Sequence, residues 1–117
     1  MKRDHRLVSL SREHHTALRL GRSLLAGGAA VALRAEQAAL ATHFAEEEER
    51  FVRLLQARGH EALAARLLHE HATLRTLFGA ALRGEREGEA GQALLDHVRF
   101  EERELFPVVE RLLEVVP

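Results

Sequence analysis

The sequence predicts an all-α fold, an up-down-up-down antiparallel four-helix bundle. Alanine, leucine, arginine and glutamate dominate the composition, and only two prolines occur. These residues favour helices. Apolar residues recur with the 3.6-residue helical period in four long segments, and no segment shows the alternation typical of a strand. The connectors between the segments are short, which favours antiparallel packing of successive helices.

Glycines set the predicted ends of the helices. The first three helices stop at Gly27-Gly28, Gly59 and Gly84, and a glycine-broken polar stretch at 84–91 precedes the fourth. We predict helices from about Leu10 to Ala26, Val31 to Arg58, Glu61 to Arg83, and Gln92 to Val115. Pro107 lies inside the fourth helix and predicts a kink near the preceding turn.

Length and composition restrict the classes of function. The 117 residues predict a single domain, 1–117, able to bury a core. The 17 basic and 18 acidic residues nearly cancel, so no overall field favours nucleic acid or an anionic membrane as a partner. No apolar run approaches the roughly 20 residues that span a bilayer, and no leader is visible, so we expect a soluble cytoplasmic protein. Cysteine is absent, which excludes disulfides and thiolate sites, whereas there are eight histidines.

The second helix carries four consecutive glutamates, 46–49, within an apolar segment. Helical phase places Glu47 at the centre of the apolar stripe, with His43 one turn earlier. The other three glutamates point away and are expected to be solvated. The predicted stripe consists of Leu40, Phe44, Phe51 and Leu54.

The fourth helix repeats this pattern with His97 and Glu101. The same phase calculation places Glu101 on the apolar stripe and turns Glu102 and Arg103 outward. The predicted stripe here consists of Leu94, Leu105, Val108 and Leu112.

The first and third helices each contribute one inward histidine. In the first, His14 lies on the line of Leu7, Leu10 and Leu18, which favours it over His15, although a local repeat would pair His15 with His71 instead. In the third, His71 faces inward and His69 outward. Glu70 borders the stripe, as a further ligand or as a partner of one.

The six inward polar residues predict a metal site. Burying an isolated carboxylate costs several kcal/mol, and two close together also repel. The only lysine is Lys2, and no arginine lies on the inward lines of the two His-x-x-x-Glu helices. A pair of cations answers this requirement, with each glutamate bridging both ions, two nitrogens and two oxygens on each ion, and coordination positions left open. The predicted ligands are His14, His43, Glu47, His71, His97 and Glu101.

The remaining histidines and nearby glutamates have a simpler expected role. A single histidine or a glutamate-rich segment is usually packed or solvated rather than metal-bound. We apply that interpretation to His5, His60, His69, Glu46, Glu48, Glu49, Glu102 and Glu104.

The order of these motifs resembles the hemerythrin-like (HHE cation-binding) family. The resemblance spans essentially the whole chain and includes His97-Val-Arg-Phe-Glu101, followed by Leu-Phe-Pro107. It implies a four-helix bundle with two iron ions in an oxo- or hydroxo-bridged centre. Oxygen-carrying hemerythrins have a further histidine where this chain has Arg75, and an aspartate at the position of Glu102. The pattern here is closer to a symmetric bacterial branch and to the iron-sensing domain of a eukaryotic ubiquitin ligase.

Two functions of different classes are compatible with this pattern. The first is a di-iron protein that binds or reduces oxygen, nitric oxide or peroxide in sensing, detoxification or redox chemistry. The second is an iron-sensing or iron-buffering protein without turnover. Manganese or zinc would fit the same donors. Peroxidase- or oxidase-type catalysis, action on an organic substrate, and a helical bundle with incidental histidines remain open alternatives.

Overall fold

The computed structural model describes residues 3–114 and contains four long helices. We number them α1 to α4; a short 3₁₀ turn, His5–Leu7, precedes α1. The second and fourth helices are each interrupted by one π turn. The bounds are Val8–Ala26 for α1, Ala30–Glu47 with Glu48–Val52 (π) and Arg53–Ala57 for α2, Glu61–Leu82 for α3, and Glu87–Phe100 with Glu101–Leu105 (π) and Phe106–Glu114 for α4.

The predicted helical class is confirmed. Residues 3–114 contain no strand, and the four helices are consistent with a bundle. Gly59 and Gly84 adopt positive φ angles of 82° and 79° at the ends of α2 and α3, the left-handed region that glycine tolerates best. Val115, the predicted end of the fourth helix, lies outside the described residues. No helix within residues 3–114 is long and apolar enough to cross a bilayer.

The predicted start of the fourth helix was wrong. It begins at Glu87 instead of Gln92, because Gly88 and Gly91 lie within the helix and do not interrupt it. Gly91 is needed for contact with α1. A Cβ atom there would lie 2.6 Å from the backbone oxygen of Gly21 and 2.8 Å from the backbone nitrogen of Leu25. The glycine therefore permits a close approach of the two helices.

Gly91→Ala is expected to destabilise the protein by about 1–3 kcal/mol, because the added methyl group meets rigid backbone atoms. Gly88→Ala is the matched control, since a Cβ atom at Gly88 has no neighbour within 4 Å. It should stabilise α4 by about 0.5–1 kcal/mol. Urea unfolding of both variants measures the difference. Equal changes in the free energy of unfolding of the two variants would show that α1 and α4 can move apart without loss of stability.

The two π turns occupy equivalent places, directly after Glu47 in α2 and starting at Glu101 in α4. A π turn adds one residue and rotates the following helix by about 100° relative to a continuous α-helix. Leu55 and Val109 are accordingly fully buried, whereas the predicted Leu54 and Val108 are only half-buried. Leu112, also predicted on the stripe, is half-buried as well.

The second π turn lies directly before Pro107, where a kink was predicted, and in it the backbone N–H of Phe106 donates to the carbonyl of Glu101. Proline alone does not account for this π turn, because α2 has a π turn without a proline.

The core consists of two apolar clusters separated by polar residues. We call them the Phe44 cluster and the Phe51 cluster. In every helix the buried histidine or glutamate lies between residues of the two clusters. The Phe44 cluster comprises Ala17, Leu20, Leu24, Ala29, Leu33, Leu40, Phe44, Leu74, Leu77, Phe78, Ala81, Ala90, Leu94 and Val98. The Phe51 cluster comprises Leu7, Leu10, Phe51, Leu55, Ala64, Leu67, Phe100, Leu105, Phe106 and Val109.

Candidate metal centre

Six polar side chains are buried together between the two apolar clusters. They are 0–6% exposed, and they are the buried polar residues of the described chain. All six were selected from the sequence as inward-facing: His14, His43, Glu47, His71, His97 and Glu101. His15, the alternative to His14, is exposed.

The six residues form two groups that share both glutamates. The first contains His14 and His43, and the second contains His71 and His97; Glu47 and Glu101 belong to both. Within each group, one ligand atom from every residue lies within 4.8 Å of all the others. Donor atoms this close to one another could share one small cation.

All four imidazoles direct the same nitrogen, Nε2, toward the shared glutamates. The Nε2 of His14 lies 2.7 Å from Glu101. Those of His43 and His71 each lie 3.1 Å from Glu47. For His97 the distance to Glu101 is 3.3 Å. Nitrogen and oxygen donors therefore converge on one volume.

Aromatic contacts restrict the orientation of two of these imidazoles. Phe44 stacks on His71 with 4.2 Å between the ring centroids. Phe106 stacks on His14 at 5.4 Å. Each phenyl ring belongs to one of the two apolar clusters, so core packing limits how far the imidazoles can rotate.

The site is incompletely satisfied by protein atoms alone. Glu47 Oε2, Glu101 Oε2 and His97 Nε2 are buried without a hydrogen bond of acceptable geometry to any described residue. Unpartnered buried polar atoms cost free energy and are rare in folded proteins. All three are potential metal donors, and together with the remaining nitrogens and oxygens they fit a pair of cations.

The two shared glutamates differ in their affinity for a proton. Burial, and then the neighbouring Glu101, raise the pKa of Glu47 well above its usual value. Burial alone would raise the pKa of Glu101, but the adjacent Glu47 carboxyl group and the histidines that face Glu101 lower it well below the usual range. The opposite shifts reflect mutual repulsion, because two carboxyl groups in close contact resist carrying two negative charges.

The histidines also divide between charged and neutral forms in the metal-free protein. Burial opposes the charge on His43, but the nearby carboxyl groups of Glu101 and Glu47 outweigh it and raise the pKa to about 11. His97 behaves similarly through Glu101 and Glu70, with a pKa raised to about 9. For His71, burial and the neighbouring His97 lower the pKa to about 4.

A second layer of carboxylates surrounds the six residues. Glu13, Glu48, Glu70 and Glu102 each lie 2.6–2.7 Å from the Nδ1 atom of one buried histidine. The prediction that Glu48 and Glu102 are plainly solvated was wrong. The π turns begin at or next to these residues, and both are half-buried.

The other two members of this layer differ in what the sequence revealed. Glu70, left open as a ligand or a partner, contacts His97 from outside the group of six. Glu13 was missed. A signal was present, because Glu13-His14 and Glu70-His71 are the same dipeptide at equivalent places in the two halves of the chain.

The remaining histidines and glutamates lie away from the cluster. His5, His69, Glu46, Glu49 and Glu104 are exposed, and His60 is half-buried. None of them belongs to the two groups of converging donors.

A family comparison agrees with this architecture. A family model described as "Hemerythrin HHE cation binding domain" matches residues 4–109, a range that includes all six buried polar residues. The chain belongs to the hemerythrin HHE cation-binding family. The predicted resemblance is therefore confirmed. Searches of curated proteins and of solved structures found no match.

This hemerythrin-family domain also has a small cavity beside the candidate centre. Its volume is about 90 Å³, and residues of α1, α2 and α4 line it. His43 and His97 form part of its wall, and most of the remaining wall is apolar, including Ala17, Leu40 and Phe44. Glu13, Thr16 and Glu36 are the other polar lining residues among those described.

Proposed function

We propose that His14, His43, Glu47, His71, His97 and Glu101 bind two metal ions. The sharing of both glutamates by two histidine pairs carries this proposal. Each ion would receive two imidazole nitrogens and two carboxylate oxygens, with Glu47 and Glu101 bridging. The mixed donor set suits two iron ions in an oxo- or hydroxo-bridged centre, and manganese or zinc fits the same atoms.

The arrangement of the helices is part of the same proposal. Residues of the Phe51 cluster precede the buried histidine in α1 and α3 and follow the buried histidine in α2 and α4. That alternation supports an antiparallel up-down-up-down bundle. We assign residues 1–117 to a single hemerythrin-like domain.

The function that this site supports best is the binding or reduction of a small molecule such as oxygen, nitric oxide or peroxide, in sensing, detoxification or redox chemistry. A bound iron pair would supply open coordination positions and electrons. The cavity supports this function, since 90 Å³ is about three times the share of volume of one liquid water molecule. Its apolar wall suits a small uncharged guest.

Metal content and spectroscopy test the proposal. Protein produced with iron should contain about two irons per chain, absorb in the near ultraviolet, and change its spectrum with oxygen, peroxide or nitric oxide. Ala17→Leu should slow the response to nitric oxide by filling part of the cavity, whereas Ala45→Leu, at an exposed position of α2, should not. Less than one iron per chain with no spectral response would contradict the proposal.

Iron sensing or buffering without turnover is the second candidate, and the unpartnered buried donors favour it. A site that is costly to bury without metal makes folding depend on the metal. An assay of peroxide decomposition distinguishes the two candidates. A buffering protein loses helical signal when a chelator removes its iron, but in the iron-loaded form it does not decompose peroxide.

Metal binding is expected to release at least two protons near pH 7, so the apparent affinity should increase with pH. The raised pKa values of His43 and His97, about 11 and about 9, mean that both carry an extra proton when the site is free of metal. Only neutral imidazole binds a metal ion, so affinity should rise about tenfold per pH unit for each proton released. Calorimetric titration with zinc in buffers of different ionisation enthalpy counts these protons. Zinc binding with no proton release would show that the histidines are already neutral.

A further inference from the structure

The four outer glutamates connect the helices in a closed ring. Glu13 of α1 accepts from His43 of α2 at 2.6 Å. Glu48 of α2 accepts from His71 of α3 at 2.7 Å. Glu70 of α3 accepts from His97 of α4 at 2.6 Å. Glu102 of α4 closes the ring by accepting from His14 of α1 at 2.7 Å. Each helix thus supplies a carboxylate to the histidine of the next helix.

We propose that the glutamate ring has two effects on the metal site. Its members are positioning residues that orient every Nε2 atom toward the metals, and their negative charge favours trivalent over divalent ions. The ring consists of Glu13, Glu48, Glu70 and Glu102. The inference rests on the proposed metal site.

The ring determines which imidazole nitrogen is free to bind a metal. An ionised carboxylate is only an acceptor, so it keeps the proton on Nδ1 and leaves the Nε2 lone pair available. In all four histidines Nδ1 faces the ring, and Nε2 faces Glu47 or Glu101 at 2.7–3.3 Å. A carboxylate on the far nitrogen also raises the basicity of the ligating one.

The ring also changes the charge that the metal pair must balance. Two shared and four outer carboxylates provide six negative charges when all are ionised. Arg3, Arg66 and Arg75 pair with three of these carboxylates and offset part of the charge, so the surroundings of the metals remain negative but by less than six charges. Since carboxylates are hard donors, their density favours the more highly charged ion.

Arginines hold three members of the ring in place. Arg66 bonds Glu70 at 2.8 Å, and Arg75 bonds Glu48 at 3.0 Å. Arg3 bonds Glu102 at 3.0 Å. Among residues 3–114 no arginine bonds Glu13, whose side chain is 54% exposed. The ion pairs fix the carboxylate positions more than they add stability, because they are partly solvated.

Two substitutions at each ring position separate charge from geometry. Glu48→Gln keeps an oxygen that can accept from Nδ1 but removes the negative charge, and Glu48→Leu removes both. Glu46→Gln and Glu49→Gln are matched controls, since both glutamates are exposed and lie on the same stretch of α2. The same pair of changes applies to Glu13, Glu70 and Glu102.

Three readouts test the ring. Glu48→Leu should lower the affinity for zinc, measured by competition with a chromogenic chelator, by about 10–100-fold. Glu48→Gln should reduce the preference for ferric over ferrous iron about tenfold, raising the midpoint potential of the iron-loaded protein by about 59 mV. Nitrogen NMR of His71 in the metal-free protein should show the Nδ1-protonated tautomer in the parent chain. In Glu48→Leu this tautomer should be lost.

The outcomes distinguish this inference from the metal site itself. Zinc affinities and midpoint potentials equal to those of the Glu46→Gln control would overturn the ring while leaving the metal site intact. If the parent chain binds neither zinc nor iron, the proposed function fails, and the His71 tautomer in metal-free protein decides the positioning role alone. An unchanged tautomer in Glu48→Leu would overturn it.

Discussion

Glu47→Ala is expected to abolish binding of the metal pair, whereas the same change at Glu46 or Glu49 should leave the metal content unaltered. Glu47 is fully buried and belongs to both groups of converging donors, so its loss would remove one of the proposed oxygen ligands of each ion. Glu46 and Glu49 are exposed and belong to neither group. Three neighbouring glutamates of identical chemistry should therefore differ completely in effect.

Metal analysis of the three purified variants after loading with iron measures this difference. About two irons per chain in Glu46→Ala and Glu49→Ala, and essentially none in Glu47→Ala, is the expected result. Thermal unfolding monitored by circular dichroism verifies that each variant is folded. Equal losses in all three variants would mean that the acidic segment binds iron loosely at the surface. Two irons retained without Glu47 would exclude it as a bridging ligand.

The symmetry of the centre follows from the repetition in the chain. Glu13-His14 and Glu70-His71 supply one inward imidazole and one outer carboxylate each. The two His-x-x-x-Glu helices each supply an imidazole, a shared carboxylate and, one residue later, an outer carboxylate. Two copies of this arrangement place two equal donor sets around Glu47 and Glu101, which is the basis for proposing two ions rather than one.

The inward-facing residues were predictable because they lie where helical phase is undisturbed. His43 and Glu47 precede the π turn of α2, and His97 and Glu101 precede or begin that of α4. A constant 100° per residue therefore identified them correctly. The separation of His14 from His15 succeeded for the same reason, since α1 is regular throughout.

Prediction failed where the backbone departs from this regularity. The π turns moved Leu55 and Val109 into the core in place of Leu54 and Val108, and apolar spacing gives no warning of an inserted residue. Glu48 and Glu102 reach histidines on neighbouring helices, a contact that depends on packing between helices. The start of α4 was misplaced because Gly91 was interpreted as a break, although it serves a close helix contact.

Removing the metal is expected to lower the midpoint temperature of unfolding by about 11–16 °C. A ligand that binds only the folded state stabilises it by about 2.7 kcal/mol at one hundred times its dissociation constant and by about 4.1 kcal/mol at one thousand times. For a chain of this length each kcal/mol corresponds to about 4 °C. Chelation would leave buried Glu47, Glu101 and His97 with unpartnered atoms, which is one physical source of this difference.

Thermal scans of iron-loaded protein with and without a chelator measure this shift, and Glu47→Ala provides the comparison. Since that variant is expected to bind no metal pair, its midpoint should not respond to the chelator. Restoring iron to the chelated parent should recover the original midpoint, which separates metal loss from irreversible damage. The same midpoint with and without metal would mean that the histidines and glutamates satisfy one another in the folded protein. Stability would then come from the two apolar clusters alone, and the buried carboxylates would need an explanation other than metal binding.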